Sequence, residues 1–173
     1  MRKPHRMIDT TVANLFIHGM QSSRPEDTRP TPMLAMSRLE AVQDWGIKQD
    51  TRYFRPPDPG RERLRQVSLI DEGTIRRHEA IFGPIDRSLI KAQIVVAGDI
   101  FLPDLLDSVL VFEGGAELTL SKVREPCFAM DLIAAGLREA MRPRQQGVLA
   151  RVTRSGIIHT GQKISLRGAE EAA

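Results

Sequence analysis

The segment VLVFEGGAELTLS, residues 109–121, constrains the fold of this chain more than any other. Ala116, Leu118 and Leu120 alternate with Glu117, Thr119 and Ser121, so one face is apolar and the other wet, the pattern of a half-buried strand. Gly114-Gly115 supplies the turn, which predicts a hairpin. A few residues later the period changes. Met130, Ile133, Ala134, Leu137 and Met141 fall at i, i+3, i+4, i+7 and i+11, the stripe of an amphipathic helix that Arg142-Pro143 closes. Between the two patterns lies REPC, 124–127, with the only cysteine of the chain, Cys127.

The rest of the sequence extends this reading. TVANLFIH (11–18) reads as a first strand, and the segment 19–35, with Pro25, Pro30 and Pro32, as a loop. A strand and a turn at Gly46 are expected in 37–54, then a Pro- and Gly-rich loop over 55–63. RQVSLI (65–70) leads into a helix over 71–82 that Asp71 caps and Gly83-Pro84 ends. AQIVVAGDIF (92–101) is a further strand, and 147–153 with 157–166 reads as a last hairpin about Ser155-Gly156. Many short strands with two inserted helices predict a mainly β fold, a curled antiparallel sheet or barrel. With 173 residues, 41% of them hydrophobic, the expectation is one domain over 1–173, its core at about 11–166 and a flexible tail at 167–173.

Composition narrows the setting. A single cysteine excludes an intramolecular disulfide and points to a reducing, cytoplasmic location. No stretch approaches a membrane span, and VANLFI is too brief for a signal core, so no membrane association is expected. The formal charge of +3 does not by itself argue for nucleic acid, which also wants aromatics interleaved with basic residues, and only Tyr53-Phe54 fits that. Arginine dominates the cations, with Arg52, Arg55, Arg61, Arg63 and Arg65 close together, and its planar fork suits phosphate or carboxylate. His18, His78 and His159 have no metal-ligand spacing, and the glycine-rich nucleotide loops and the G-x-S-x-G elbow are missing. Cys127 has two physical readings: a thiol activated by Arg124 and a following helix N-terminus, or a small apolar side chain in the core.

The order of these pieces resembles the MOSC domain, named after the C-terminal domain of molybdenum cofactor sulfurase, in its small stand-alone bacterial form. GIKQDTRYF (46–54) is similar to the family's G-I/L-x-G-D-R-H/Y turn, RQVSLID (65–71) to its R-Q-V/I-x-L-I/L strand, and IVVAGDIF (94–101) to its middle segment. REPC resembles the motif carrying the family's key cysteine, and GVLARVTRSGIIHTGQKI (147–164) its closing hairpin. The resemblance spans about 11–166. It implies a closed or partly closed β-barrel in which Cys127 carries sulfur as a persulfide or ligates molybdenum. It further implies that Arg52, Arg65, Lys91 and Arg124 hold the phosphate of a molybdenum-pterin cofactor. The partner would be a pyridoxal-phosphate-dependent cysteine desulfurase for sulfur delivery, or an electron-transfer reductase for a reductase. The chain departs from the family at Gln49, Gln93 and Gln162, where glycine, asparagine and aspartate are usual. His159 stands as a proton donor near the hairpin end or as an exposed turn residue. The rival expectation is the same barrel as a binding or assembly module that has lost the cofactor, and oligomeric state stays open.

Overall fold

The structure, a computed structural model, describes residues 8–20 and 24–168. The basic N-terminal residues before Ile8 and the tail beyond Gly168 lie outside them. In chain order the first half holds β1 (Thr10–Ile17), β2 (Leu34–Met36), β3 (Arg38–Val42), β4 (Gly46–Ile47), β5 (Val67–Asp71) and α1 (Glu72–Phe82). The second half holds β6 (Ile94–Val96), β7 (Val109–Phe112), β8 (Glu117–Val123), α2 (Ala129–Ile133) and α3 (Leu137–Ala140). It closes with β9 (Val148–Arg154), β10 (Gly156–His159) and β11 (Lys163–Arg167).

Strands pair in the order β11-β7-β8-β9-β5-β6-β1, and β1 pairs back onto β11, which closes a seven-stranded mixed barrel. Closure removes the free edges that an open sheet would expose. The short β2 hangs on β1, and β10-β3-β4 form a separate three-stranded sheet. The β7–β8 hairpin is present as expected, with Leu118 and Leu120 buried and Glu117, Thr119 and Ser121 partly exposed.

Strand alternation explains the two apolar cores. Leu15, Leu69, Ile94 and Val96 point into the barrel, where they meet Phe112, Leu118 and Ala150. Their sequence neighbours Phe16, Ile70 and Val95 point outward and pack with Ile75, Met130, Leu137 and Met141 of the helical segments. Consequently β5 and β6 are buried at every position. They also form the one parallel pair among these strands, connected across α1, as expected of strands covered on both faces. Asp71 caps α1 by accepting from the Thr74 amide at 2.9 Å, and Gly83 ends it.

Several expectations need correction. The 19–35 loop gives way at its end to β2, whose Leu34 and Met36 pair with β1. The helix read over Met130–Met141 is two short helices, because Ala134 is extended and Gly136 takes φ 86°. Asp131 accepts from the Arg138 amide at 3.0 Å across this break, while Met130, Leu137 and Met141 stay buried, so the apolar stripe survives. The last hairpin does not form. Both edges of β9 are occupied, by β8 and β5, and β10 instead pairs with β3. Arg167, assigned to the flexible tail, ends β11 and ion-pairs with Glu117 at 2.6 Å.

Gly147 enters β9 at φ 85°, and a Cβ there would lie 2.0 Å from the Leu69 carbonyl oxygen. Its own carbonyl accepts from the Arg124 amide at 3.0 Å, so this close approach also places REPC. Gly147→Ala is expected to cost more than about 2 kcal/mol in urea unfolding, through backbone strain and a clash with main chain. A loss under about 0.5 kcal/mol would show that the approach is soft.

Candidate functional site

The β3–β4 unit presents a tight turn over 47–54. The Asp50 amide donates to Ile47 O at 3.0 Å, and the Tyr53 and Phe54 amides return to Asp50 O at 3.2 and 3.0 Å. The Asp50 side chain is wholly buried. Its Oδ2 accepts from the His18 amide at 3.1 Å, from the His18 ring at 2.7 Å and from Gln93 Nε2 at 2.8 Å. Burial pushes this carboxyl up, but the bonds and charge of His18 together with the Gln93 amide outweigh burial and hold it below the ordinary value. An ionised carboxylate only accepts, so Nδ1 of His18 carries the proton. Oδ1 of Asp50 is buried with no hydrogen-bond partner among the described residues.

His18 meets the Tyr53 ring edge-on, with centroids 4.9 Å apart. The Tyr53 hydroxyl accepts from Arg65 Nη2 at 2.9 Å, and the Arg65 and Arg52 guanidiniums lie 4.4 and 5.5 Å from the ring centroid. Lys91 holds φ 65°, a left-handed conformation uncommon for a side chain of this size, and its Nζ donates to Thr31 O. Burial and then Arg52 lower the Lys91 ammonium, against which negative charge on Cys127 acts. Arg124 is buried, and burial followed by Arg65 lowers its guanidinium to about 10, while charge on Cys127 and Tyr53 opposes this. Cys127 itself is exposed.

Arg52, Arg65, Lys91, Arg124 and Cys127 are thus neighbours in space. None of the four cations has a carboxylate partner among the described residues. Elsewhere arginines are paired: Arg76 and Arg87 with Glu72, Arg77 with Asp99, Arg144 with Asp104, Arg154 with Glu117. Unneutralised cations gathered beside an exposed thiol make an arrangement that favours anions.

The geometry also reassigns several residues. Arg124 works first as a clamp, donating to Lys91 O at 2.9 Å and Ile90 O at 3.3 Å. α2 after Cys127 has five residues and no side-chain cap, too short for the helix end to act strongly on the thiol. The departures from the family pattern are structural ties. Gln49 is outside the positive-φ residues, so its backbone needs no glycine, and its Oε1 accepts from the Glu40 amide at 3.0 Å. Gln93 joins Asp50 to the Ser68 amide, 2.9 Å from its Oε1, and Gln162 spans its own turn by accepting from the His159 amide at 3.3 Å. His159 is exposed and pairs with Arg38 in the small sheet, and none of its hydrogen bonds reaches the thiol cluster. His18, Asp50 and Tyr53 were not singled out from sequence as site residues. Thirty-two positions separate His18 from Asp50, and only the motif position of Asp50 hinted at a role.

No protein-family model matches the chain, and no curated protein matches it in sequence. Solved structures do match in fold. The YuaD protein from Bacillus subtilis aligns with a TM-score of 0.74 at 18% identity, covering 94% of this chain and 97% of that one. YiiM from Escherichia coli aligns at 0.63 with 11% identity over 91% of this chain and 70% of its own. YiiM from Geobacillus stearothermophilus gives 0.63 and 14% over 91% and 75%. At such identities the likeness concerns the fold, a MOSC-like barrel with inserted helices. Among the described residues no helix is long and apolar enough to cross a membrane.

The Asp50 carboxylate is more acidic folded than unfolded, so its contribution is complete above about pH 4 and fades as pH falls through the lower folded value. Asp50→Asn is expected to cost about 2 kcal/mol near neutrality, the scale of charged buried hydrogen bonds. Denaturant unfolding of both proteins from pH 7 to 3 should show that gap closing at acid pH. A gap independent of pH would mean the charge contributes nothing.

Proposed function

We propose that this protein is a MOSC-like sulfur- or molybdenum-handling protein, with Cys127 as the reactive thiol and an anion seat made by Arg52, Arg65 and Lys91 and backed by Arg124. One observation carries the reading: these cations gather around an exposed thiol, and no carboxylate among the described residues pairs with them. The donor set suits a phosphate, which accepts the paired N–H groups of a guanidinium and the point charge of an ammonium. A molybdenum-pterin cofactor therefore fits: Arg52, Arg65 and Lys91 would take its phosphate, and the Cys127 thiolate is a soft ligand suited to molybdenum. When bound, that cofactor supplies the redox chemistry. The chain itself would hold the anion, fix Lys91 through the Arg124 clamp, and keep Tyr53 in place through His18 and Asp50.

The sulfur-carrier route uses the same atoms. The Cys127 thiolate attacks the terminal sulfur of a persulfide on a donor such as a cysteine desulfurase. A new sulfur–sulfur bond forms, the donor's own breaks, and the donor leaves as a thiolate that takes up the displaced proton. No external oxidant is needed, since the sulfur moves at constant oxidation state.

Elemental and intact-mass analysis of protein purified from its own host tests the reading. The expectation is bound molybdenum, or added mass of one sulfur atom that dithiothreitol removes, with both lost in Cys127→Ala. Neither signal, together with a native Cys127 that resists iodoacetamide at neutral pH, would leave the barrel as a binding module.

A further inference from the structure

The unneutralised charge does not stop at the thiol. Arg55, Arg61, Arg63 and Lys122 continue from Arg65 along a groove of about 870 Å³, whose apolar lining includes Leu64 and Leu149. No carboxylate pairs with any of these cations among the described residues. The groove's own Glu62 is committed to Arg151, and Asp58 makes no ion pair. The loop is anchored in place. Arg63 donates to Arg55 O at 2.7 Å and Tyr53 O at 2.9 Å, and Ser121 Oγ donates to Leu64 O at 2.5 Å. Burial, and then Arg55 beside it, lower the Arg63 guanidinium, which marks like charges held close in the free protein. An anionic occupant would relieve that repulsion.

We propose that this groove docks an acidic, partly apolar segment of a partner polypeptide and leads it toward Cys127. Carboxylates spaced along an extended segment match the row of cations, and apolar side chains between them match Leu64 and Leu149. Single-stranded nucleic acid fits less well. It needs aromatic platforms, and the adjoining ring, Tyr53, is already covered by Arg52 and Arg65. Arg65 belongs to both features, since it lines the groove and bonds Tyr53 beside the thiol cluster. The purpose of docking rests on the proposed function, but the docking itself does not need Cys127.

The test is fluorescence anisotropy of a labelled peptide alternating Glu with Ala and Leu, titrated with the full chain. Binding should weaken as salt rises, and the pair Arg61→Glu with Lys122→Glu should weaken it by about tenfold or more. The pair Arg76→Glu with Lys163→Glu makes the same charge change elsewhere and should stay within about twofold. Equal losses in both pairs, no binding, or competition by an oligothymidylate of matched charge as effective as unlabelled peptide would each overturn the proposal. Hydrogen exchange on the unmutated protein gives a reading independent of variant folding: the peptide should slow exchange over 55–65 and leave 72–82 unchanged, and the absence of that contrast counts against the groove. Cys127→Ser should bind the peptide as tightly as the parent. A protein with an inert thiol that still docks peptide would remove only the proposed chemistry, and a loaded thiol without groove-dependent binding would remove only the groove.

Discussion

One carboxylate oxygen, Oδ2 of Asp50, connects parts of the chain that strand pairing leaves separate. It takes hydrogen bonds from His18, just past the end of β1, and from Gln93, just before β6, while its backbone belongs to the turn that follows β4. Gln93 carries the connection on to Ser68 in β5. The small sheet is thereby fixed to the wall of the barrel by polar contacts in a region dry enough that an unpaired carboxylate would cost several kcal/mol. Tyr53 lies three residues on, and its hydroxyl and ring position Arg65 and Arg52. The orientation of the cations thus depends on a residue that carries the opposite charge.

Charge is sorted by region. Around α1 and along β8 and β11, arginines find carboxylates: Arg87 with Glu72 at 2.9 Å, Arg77 with Asp99 at 2.7 Å, Arg167 with Glu117 at 2.6 Å. Whatever each pair contributes to stability, it cancels field locally. Around the thiol and along the 55–65 loop, no carboxylate pairs with Arg52, Arg55, Arg61, Arg63, Arg65, Lys91 or Arg124 among the described residues. A chain with a net charge of only +3 can therefore present a strongly positive surface on one side, which is where field lines toward an anion would concentrate. Formal charge alone would not have revealed this.

The sequence was informative where a local rule decides the outcome. Alternation in β8, the Gly-Gly turn, the Asp71 cap and the Gly83 stop all appear where their chemistry put them, because each depends on neighbours within a few residues. Cys127 and the cations near it could be nominated from motif order, and the structure brings them together. What could not be read involves distant partners. Ser155-Gly156 has turn chemistry, yet β10 pairs with β3 because β9 has no edge left to offer, a fact set by β5 and β8. The helical stripe over Met130–Met141 remained apolar across a break at Gly136, since buried side chains can keep their contacts through two short helices. His18 looked like an isolated histidine, and its carboxylate partner is invisible without the fold. The three glutamines stand out in the sequence only as departures from the family pattern, and each satisfies a particular backbone or side-chain group.

The joint that closes the barrel pairs Thr10 and Thr11 with Ile164 and Lys163. They belong to the first and the last strand of the barrel in chain order, so a chain emerging from the ribosome would hold β1 and β7 with edges still waiting for β11 until the other barrel strands had been made. Pairing across that separation carries the largest loop-closure entropy of any contact between the strands. Closure of the barrel therefore has to wait for the last of its seven strands, and until then the nascent chain must guard open, apolar strand edges.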